Sequence, residues 1–302
     1  MGDTGQVANL IDAASLHALL PDVTVLDVRW RLGGRPGRPD HLAGHVPGAA
    51  YLDIDTELCG PPGAAGRHPL PDPEVLQRAL RAAGVRDDRP VVVYDDGDGL
   101  PAARTWWTLR WAGHGDVRVL DGGFAAWTAA DLPQRAGQET VAPGDVTVSP
   151  GHMPVLDADG AAEQGRSGLL LDARQAPRYR GETEPIDAVA GHIPGARNVP
   201  YADLVGDDGR LHAPDRLRAR FAEAGAVRGT TPAAYCGSGI TAAHTALALA
   251  EAGFGDAPLY VGSWSNWTAD PSRPIGVGDE NPGAGDSGLG AGARTGTAGG
   301  TA

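Results

Sequence analysis

Short apolar runs alternate with helix-spaced segments along most of this chain. Val23–Val28, Pro90–Tyr94 and Val117–Leu120 are continuous apolar stretches bounded by Gly, Pro or Asp, the pattern of strands buried on both faces. Between them, Asp72–Ala83 and Ala102–Ala112 carry helical spacing. The first of these opens on Pro71-Asp72-Pro73-Glu74, a helix-start signal. Strands alternating with helices predict an α/β fold whose mainly parallel sheet is flanked by helices.

The pattern then repeats. Val25-Leu26-Asp27-Val28-Arg29 followed by Gly44-His45-Val46-Pro47-Gly48-Ala49 returns as Leu170-Leu171-Asp172-Ala173-Arg174 followed by Gly191-His192-Ile193-Pro194-Gly195-Ala196. Val91 to Asp95 corresponds to Pro232 to Cys236, and Asp121 to Trp127 to Val261 to Trp267. Four matched blocks in one order mean two copies of a single unit. The expected organisation is a first domain over 8–132, a linker over 133–154, a second domain over 155–277 and a disordered Gly/Ala-rich tail over 278–302.

Composition narrows the chemistry. Hydrophobic residues make up 41% and charged residues 21%, as expected for a soluble globular protein, and no apolar run approaches a membrane span. The N-terminus lacks the basic and apolar regions of a signal peptide, so a cytoplasmic location is expected. A net charge of −13 argues against nucleic acid or an anionic membrane as partner. Every basic residue is arginine, which excludes lysine Schiff-base chemistry and a Walker-A phosphate loop. Two cysteines, Cys59 and Cys236, support neither a disulfide framework nor a thiolate zinc site.

Cys236 carries the candidate chemistry. In Tyr235-Cys236-Gly237-Ser238-Gly239-Ile240-Thr241-Ala242 a strand runs into a glycine loop that opens a helix. Unpaired amides at the helix start stabilise a thiolate there, the nucleophilic form of cysteine. Asp95 stands at the matched place in the first repeat, so the second carries the one candidate nucleophile. A cysteine phosphatase would need an arginine six residues beyond the cysteine; positions 242 and 243 are alanine. A papain-like hydrolase has no motif in support.

This loop, the doubled Gly-His-(Val/Ile)-Pro-Gly-Ala motif and the closing Gly-Ser-Trp-x-x-Trp resemble those of the two-domain rhodanese sulfurtransferases. The resemblance implies two tandem rhodanese-like domains and a double displacement that needs no metal or organic cofactor. Cys236 would take sulfur from a small anionic donor as a persulfide. A thiol, cyanide or sulfite, or a thioredoxin-like protein, would then accept it. Amides of Gly237, Gly239, Ile240 and Thr241 would cradle the anion, Ser238 would orient or protonate the donor, and Arg178 would grip its anionic group. The loop is similar to that of 3-mercaptopyruvate sulfurtransferases, which favours that donor over thiosulfate. A second arginine expected before the Gly-His-Ile-Pro-Gly motif is absent, however, since Ile186 stands in its place. A catalytically silent binding or sulfur-carrier module is the alternative.

Among the remaining residues, Asp172 and Arg174 match Asp27 and Arg29, which predicts a strand-end ion pair in both halves. His45 and His192 are expected to brace the fold, and His244 to pack or face solvent. Trp30, Arg35 and Asp40 belong to a loop that could reach the site between domains. Cys59 reads as a loop thiol without a partner.

Overall fold

The computed structural model describes residues 8–279. The first sheet contains β1 (Leu10–Ile11), β2 (Thr24–Asp27), β3 (Ala50–Tyr51), β4 (Val91–Tyr94) and β5 (Val117–Leu120) in the spatial order β1-β5-β4-β2-β3. The second contains β6 (Val155–Leu156), β7 (Leu170–Asp172), β8 (Arg197–Asn198), β9 (Ala233–Tyr235) and β10 (Leu259–Tyr260) in the order β6-β10-β9-β7-β8. The two orders superpose element for element, and every strand pair is parallel.

The expected elements form with small shifts at their ends. One helix spans Pro73–Ala82, capped by Asp72, whose carboxylate accepts from the amides of Glu74 at 2.9 Å and Val75 at 3.1 Å. Another spans Leu100–Trp111, two residues ahead of its expected start, because Gly99 takes the left-handed conformation (φ 73°) that admits the chain into the helix. Its counterpart, Ile240–Glu251, follows Gly239 at φ 83°.

These two helices pack against each other between the sheets and are buried almost all round. A continuous apolar core therefore runs through both domains, with a separate outer cluster on the far side of each sheet. The tryptophans Trp106, Trp107, Trp127, Trp264 and Trp267 are fully buried in these layers. The segment 133–154 holds no helix or strand, but it is not a free tether. The amides of Gly144, Val146, Ser149 and His152 donate to carbonyls of Arg81, Val85, Ala112 and Trp111, strapping it to the first domain. The tail expected over 278–302 lies outside the described residues from position 280 onward.

The ion pair foreseen at the strand ends is present twice. Arg174 Nη2 lies 2.6 Å from Asp172 Oδ2, and Arg29 Nη2 lies 2.6 Å from Asp27 Oδ2. Each arginine also donates to the carbonyl of the residue before or within the Gly-His turn, Gly191 or Gly44, at 2.6 Å. The pair is buried in both domains, so its fork of hydrogen bonds offsets the cost of desolvating two charges. His45 and His192 serve the same turn, each placing Nδ1 against a carbonyl, that of His41 at 2.7 Å and that of Tyr179 at 2.8 Å.

Candidate active site

β4 and β9 are the central strands of their sheets, and the residue leaving each carboxyl end is Asp95 or Cys236. That edge is where open parallel sheets place their ligands. Cys236 is 2% exposed. Its Sγ accepts from the amide of Ser238 at 3.4 Å and of Gly239 at 3.1 Å. Ser238 and Gly239 supply the amides that reach the resting sulfur among the described residues. Ile240 and Thr241 open the helix that follows, and Gly237 turns its carbonyl to the amide of Ser265 at 2.9 Å.

The loop is held from outside by the Gly-Ser-Trp block. Ser263 Oγ accepts from the Cys236 amide at 3.1 Å, and the Trp264 amide donates to the Cys236 carbonyl at 3.0 Å. Gly239 leaves no room for a side chain: a β-carbon there would sit 2.5 Å from the Val261 carbonyl oxygen and 2.7 Å from Arg104 Nη1.

Asp95 shows what the same construction does without sulfur. Its carboxylate accepts from the amides of Gly97 at 2.8 Å, Gly99 at 3.2 Å and Ala102 at 3.1 Å. The first domain thus fills its own anion cradle with a side chain. Burial, with Asp98 nearby, pushes that carboxyl up to about 7.

The first domain nevertheless contributes to the second domain's site. Gly63 and Gly66 close a tight turn, and the Arg67 amide then donates to Ser265 Oγ at 3.0 Å while Asn266 Nδ2 donates to the Ala64 carbonyl at 2.6 Å. This pins the stretch from Ala64 to His68 across the cysteine loop. The docking is reciprocal, since Gly209 and Arg210 of the second domain lie against Gly97 and Gly122 of the first.

His68 is delivered this way, with Nδ1 2.8 Å from Ser238 Oγ and Nε2 3.4 Å from Asp55 Oδ1. Trp30 lies edge-on to the imidazole at 5.4 Å and donates Nε1–H to Asp55 at 2.8 Å. Burial, then the positive charges of Arg104 and Arg67, push His68 down to about 4, so it is a neutral imidazole at physiological pH. Arg104 backs it directly, donating to the His68 carbonyl at 3.0 Å.

Sequence reasoning missed His68, Arg67 and Arg104. His68 lies between matched blocks, where the repeat offered no comparison.

Other expected residues are placed as follows. Ser238 turns its amide to Cys236 Sγ at 3.4 Å and its hydroxyl to His68 Nδ1 at 2.8 Å. Arg178 reaches the loop, with Nη2 3.5 Å from a β-carbon built on Gly237, but it is paired with Glu184 at 2.7 Å and Asp187 at 3.2 Å. Trp30 does approach the site. Asp40 pairs with both Arg35 and Arg31, so these residues form a surface ion cluster instead. His244 is buried, edge-on to Tyr201 and against Gly99, and burial pushes it down to about 4. Cys59 follows the Ile54–Leu58 turn as a loop thiol, but it is packed into the core; burial pushes its thiol up, which disfavours the reactive form.

The Rhodanese-like domain family matches residues 6–130 and again 157–270. The chain belongs to the two-domain rhodanese-family sulfurtransferases. It is 47% identical over 283 residues to a Pseudomonas aeruginosa protein named as a 3-mercaptopyruvate sulfurtransferase, covering 90% of this chain and 99% of the relative. It is 45% identical over 283 residues to SseB of Mycobacterium tuberculosis, named as a thiosulfate sulfurtransferase, covering 91% and 98%. The crystal structure of SseA from Escherichia coli, a 3-mercaptopyruvate enzyme of the rhodanese fold, superposes with a TM-score of 0.76. It shares 33% identity and covers 86% of this chain and all of SseA. Both rhodanese copies are therefore present, with the cysteine loop in the second.

Proposed function

We propose that this chain transfers sulfur from 3-mercaptopyruvate to a thiophile through a persulfide on Cys236. The observation that carries the donor is the Ser238–His68 hydrogen bond beside Cys236. With 3-mercaptopyruvate, the Cys236 thiolate attacks the donor's sulfur and the carbon–sulfur bond breaks. Its electron pair goes to carbon, leaving the enolate of pyruvate, which must be protonated. Ser238 hydroxyl, two residues from the nucleophile, supplies that proton and is resupplied through His68, whose neutral imidazole can exchange one. The donor's own thiol proton balances the sum. With thiosulfate the sulfur–sulfur bond breaks, sulfite leaves with the pair, and no carbon needs a proton.

The resulting persulfide anion lies over the amides of Ser238 and Gly239, the electrostatic role of an oxyanion hole. A thiol, cyanide or sulfite then removes the outer sulfur. The description of a silent module fits the first domain only, where Asp95 fills the amide cradle.

The test is a comparison of donors. Ser238→Ala should lower kcat on 3-mercaptopyruvate by about 100-fold or more, the lower range for losing general acid–base help. Thiosulfate turnover should fall far less. Equal losses on both donors, or a wild-type preference for thiosulfate, would defeat this assignment of the donor.

A further inference from the structure

Ile186 is an exposed residue where a second donor-binding arginine was expected. The structure brings another arginine to the same place from the opposite domain. A β-carbon built on Gly237, the residue after Cys236, would lie 3.1 Å from Arg67 Nη2 and 3.5 Å from Arg178 Nη2. Between the two guanidinium groups sits Asp187, accepting from Arg67 Nη1 at 2.7 Å and from Arg178 Nη2 at 3.2 Å.

The neighbouring carboxylate is not equivalent. Glu184 is fixed by Arg178, by Arg174 and by the amides of Ile186 and Asp187. Among the described residues, Asp187 Oδ atoms hold only the two arginines, and Arg67 keeps a buried Nε–H with no acceptor. An anion thus already occupies the point where two guanidinium forks converge, and one donor of the set is unused.

We propose that Arg67 and Arg178 together form the clamp for the donor's carboxylate. Arg67 supplies from the first domain the charge missing at position 186. Asp187 is a resident counter-ion that the donor carboxylate displaces, meeting the free Nε–H of Arg67 in doing so. This rests on the anionic donor assigned above. It makes donor recognition a property of the docked pair of domains, and it makes Asp187 a competitor that weakens donor binding. Planar guanidinium suits this exchange because one carboxylate can replace another in its fork.

The test uses alkylation of Cys236 by iodoacetate and iodoacetamide, two reagents of one chemistry that differ in a carboxylate, read by peptide mass. Their rate ratio cancels effects on the thiolate itself. Arg67→Met should lower the iodoacetate/iodoacetamide ratio about tenfold, as for losing a charge-assisted hydrogen bond. Asp187→Asn should raise the ratio several-fold, and Ile186→Arg added to Arg67→Met should restore part of the loss. With 3-mercaptopyruvate, Arg67→Met should act mainly on KM. A ratio unmoved by Arg67→Met, or lowered by Asp187→Asn, overturns the clamp. Alkylation involves no sulfur transfer, so a responsive ratio in a protein that turns over no donor would support the clamp while the functional reading fell.

Discussion

Replacing Arg104 with methionine should let His68 take up a proton more readily. Arg104 is fully buried, its Nε and Nη1 have no hydrogen-bond partner among the described residues, and it touches the His68 carbonyl from behind. His68 is pushed from 6.5 to about 4, first by burial, then by Arg104, then by Arg67. At about 1.4 kcal/mol per unit, that displacement amounts to roughly 3 kcal/mol against the protonated ring. Arg104 ranks below burial and so accounts for at most half of it. The variant's imidazole should therefore titrate above the wild type's but still below 6.5, with Arg67→Met moving it less.

Methionine keeps much of the stem volume and removes a buried cation that lacks an anionic partner, so folding should survive. Imidazole nitrogen shifts in ¹⁵N-histidine-labelled protein read the titration directly, and the acid limb of kcat/KM should follow it. The folded protein declines a proton that the unfolded chain accepts below pH 6.5. This contribution to stability is complete above that pH and is lost as pH falls towards 4. The acid loss should be smaller in Arg104→Met. A wild-type His68 titrating near 6.5, or one unmoved by the substitution, would refute the reasoning.

Two further outcomes follow from buried geometry. Asp172→Asn removes the nearer anionic partner of Arg174 at the end of β7, leaving it Glu184 at 3.4 Å, and should cost about 3 kcal/mol in denaturant unfolding; a loss below about 0.5 kcal/mol would mean the pair is dispensable. Gly239→Ala must accommodate a β-carbon 2.5 Å from the Val261 carbonyl oxygen at a φ of 83°, so it should displace the loop and cost activity more than stability. Wild-type kcat in that variant would show that the loop tolerates a shift of its amides.

The repeat made much of this fold legible, because buried parallel strands are written as short apolar runs and each motif had a second copy. Asp27 and Asp172 could be paired with Arg29 and Arg174 for that reason alone. The cysteine loop was legible in kind, but which N–H groups meet the resting Sγ was not, since the left-handed turn at Gly239 decides it.

His68 and Arg67 were hidden for a different cause. They sit in an irregular stretch whose position is set by bonds to Ser265 and the Asn266 side chain in the other domain, and no periodicity reports such docking. The strapping of the linker segment 133–154 was hidden similarly. Most of its backbone bonds go to carbonyls at the ends of two helices, which composition does not reveal.

The central claim is a sulfur atom held on Cys236, and intact mass after incubation with donor, before any acceptor is added, tests it most directly. Wild type and Cys59→Ser should each gain about 32 Da, one sulfur atom as a persulfide, and Cys236→Ser should gain nothing. A gain that survives in Cys236→Ser, or none in the wild type, would contradict the account.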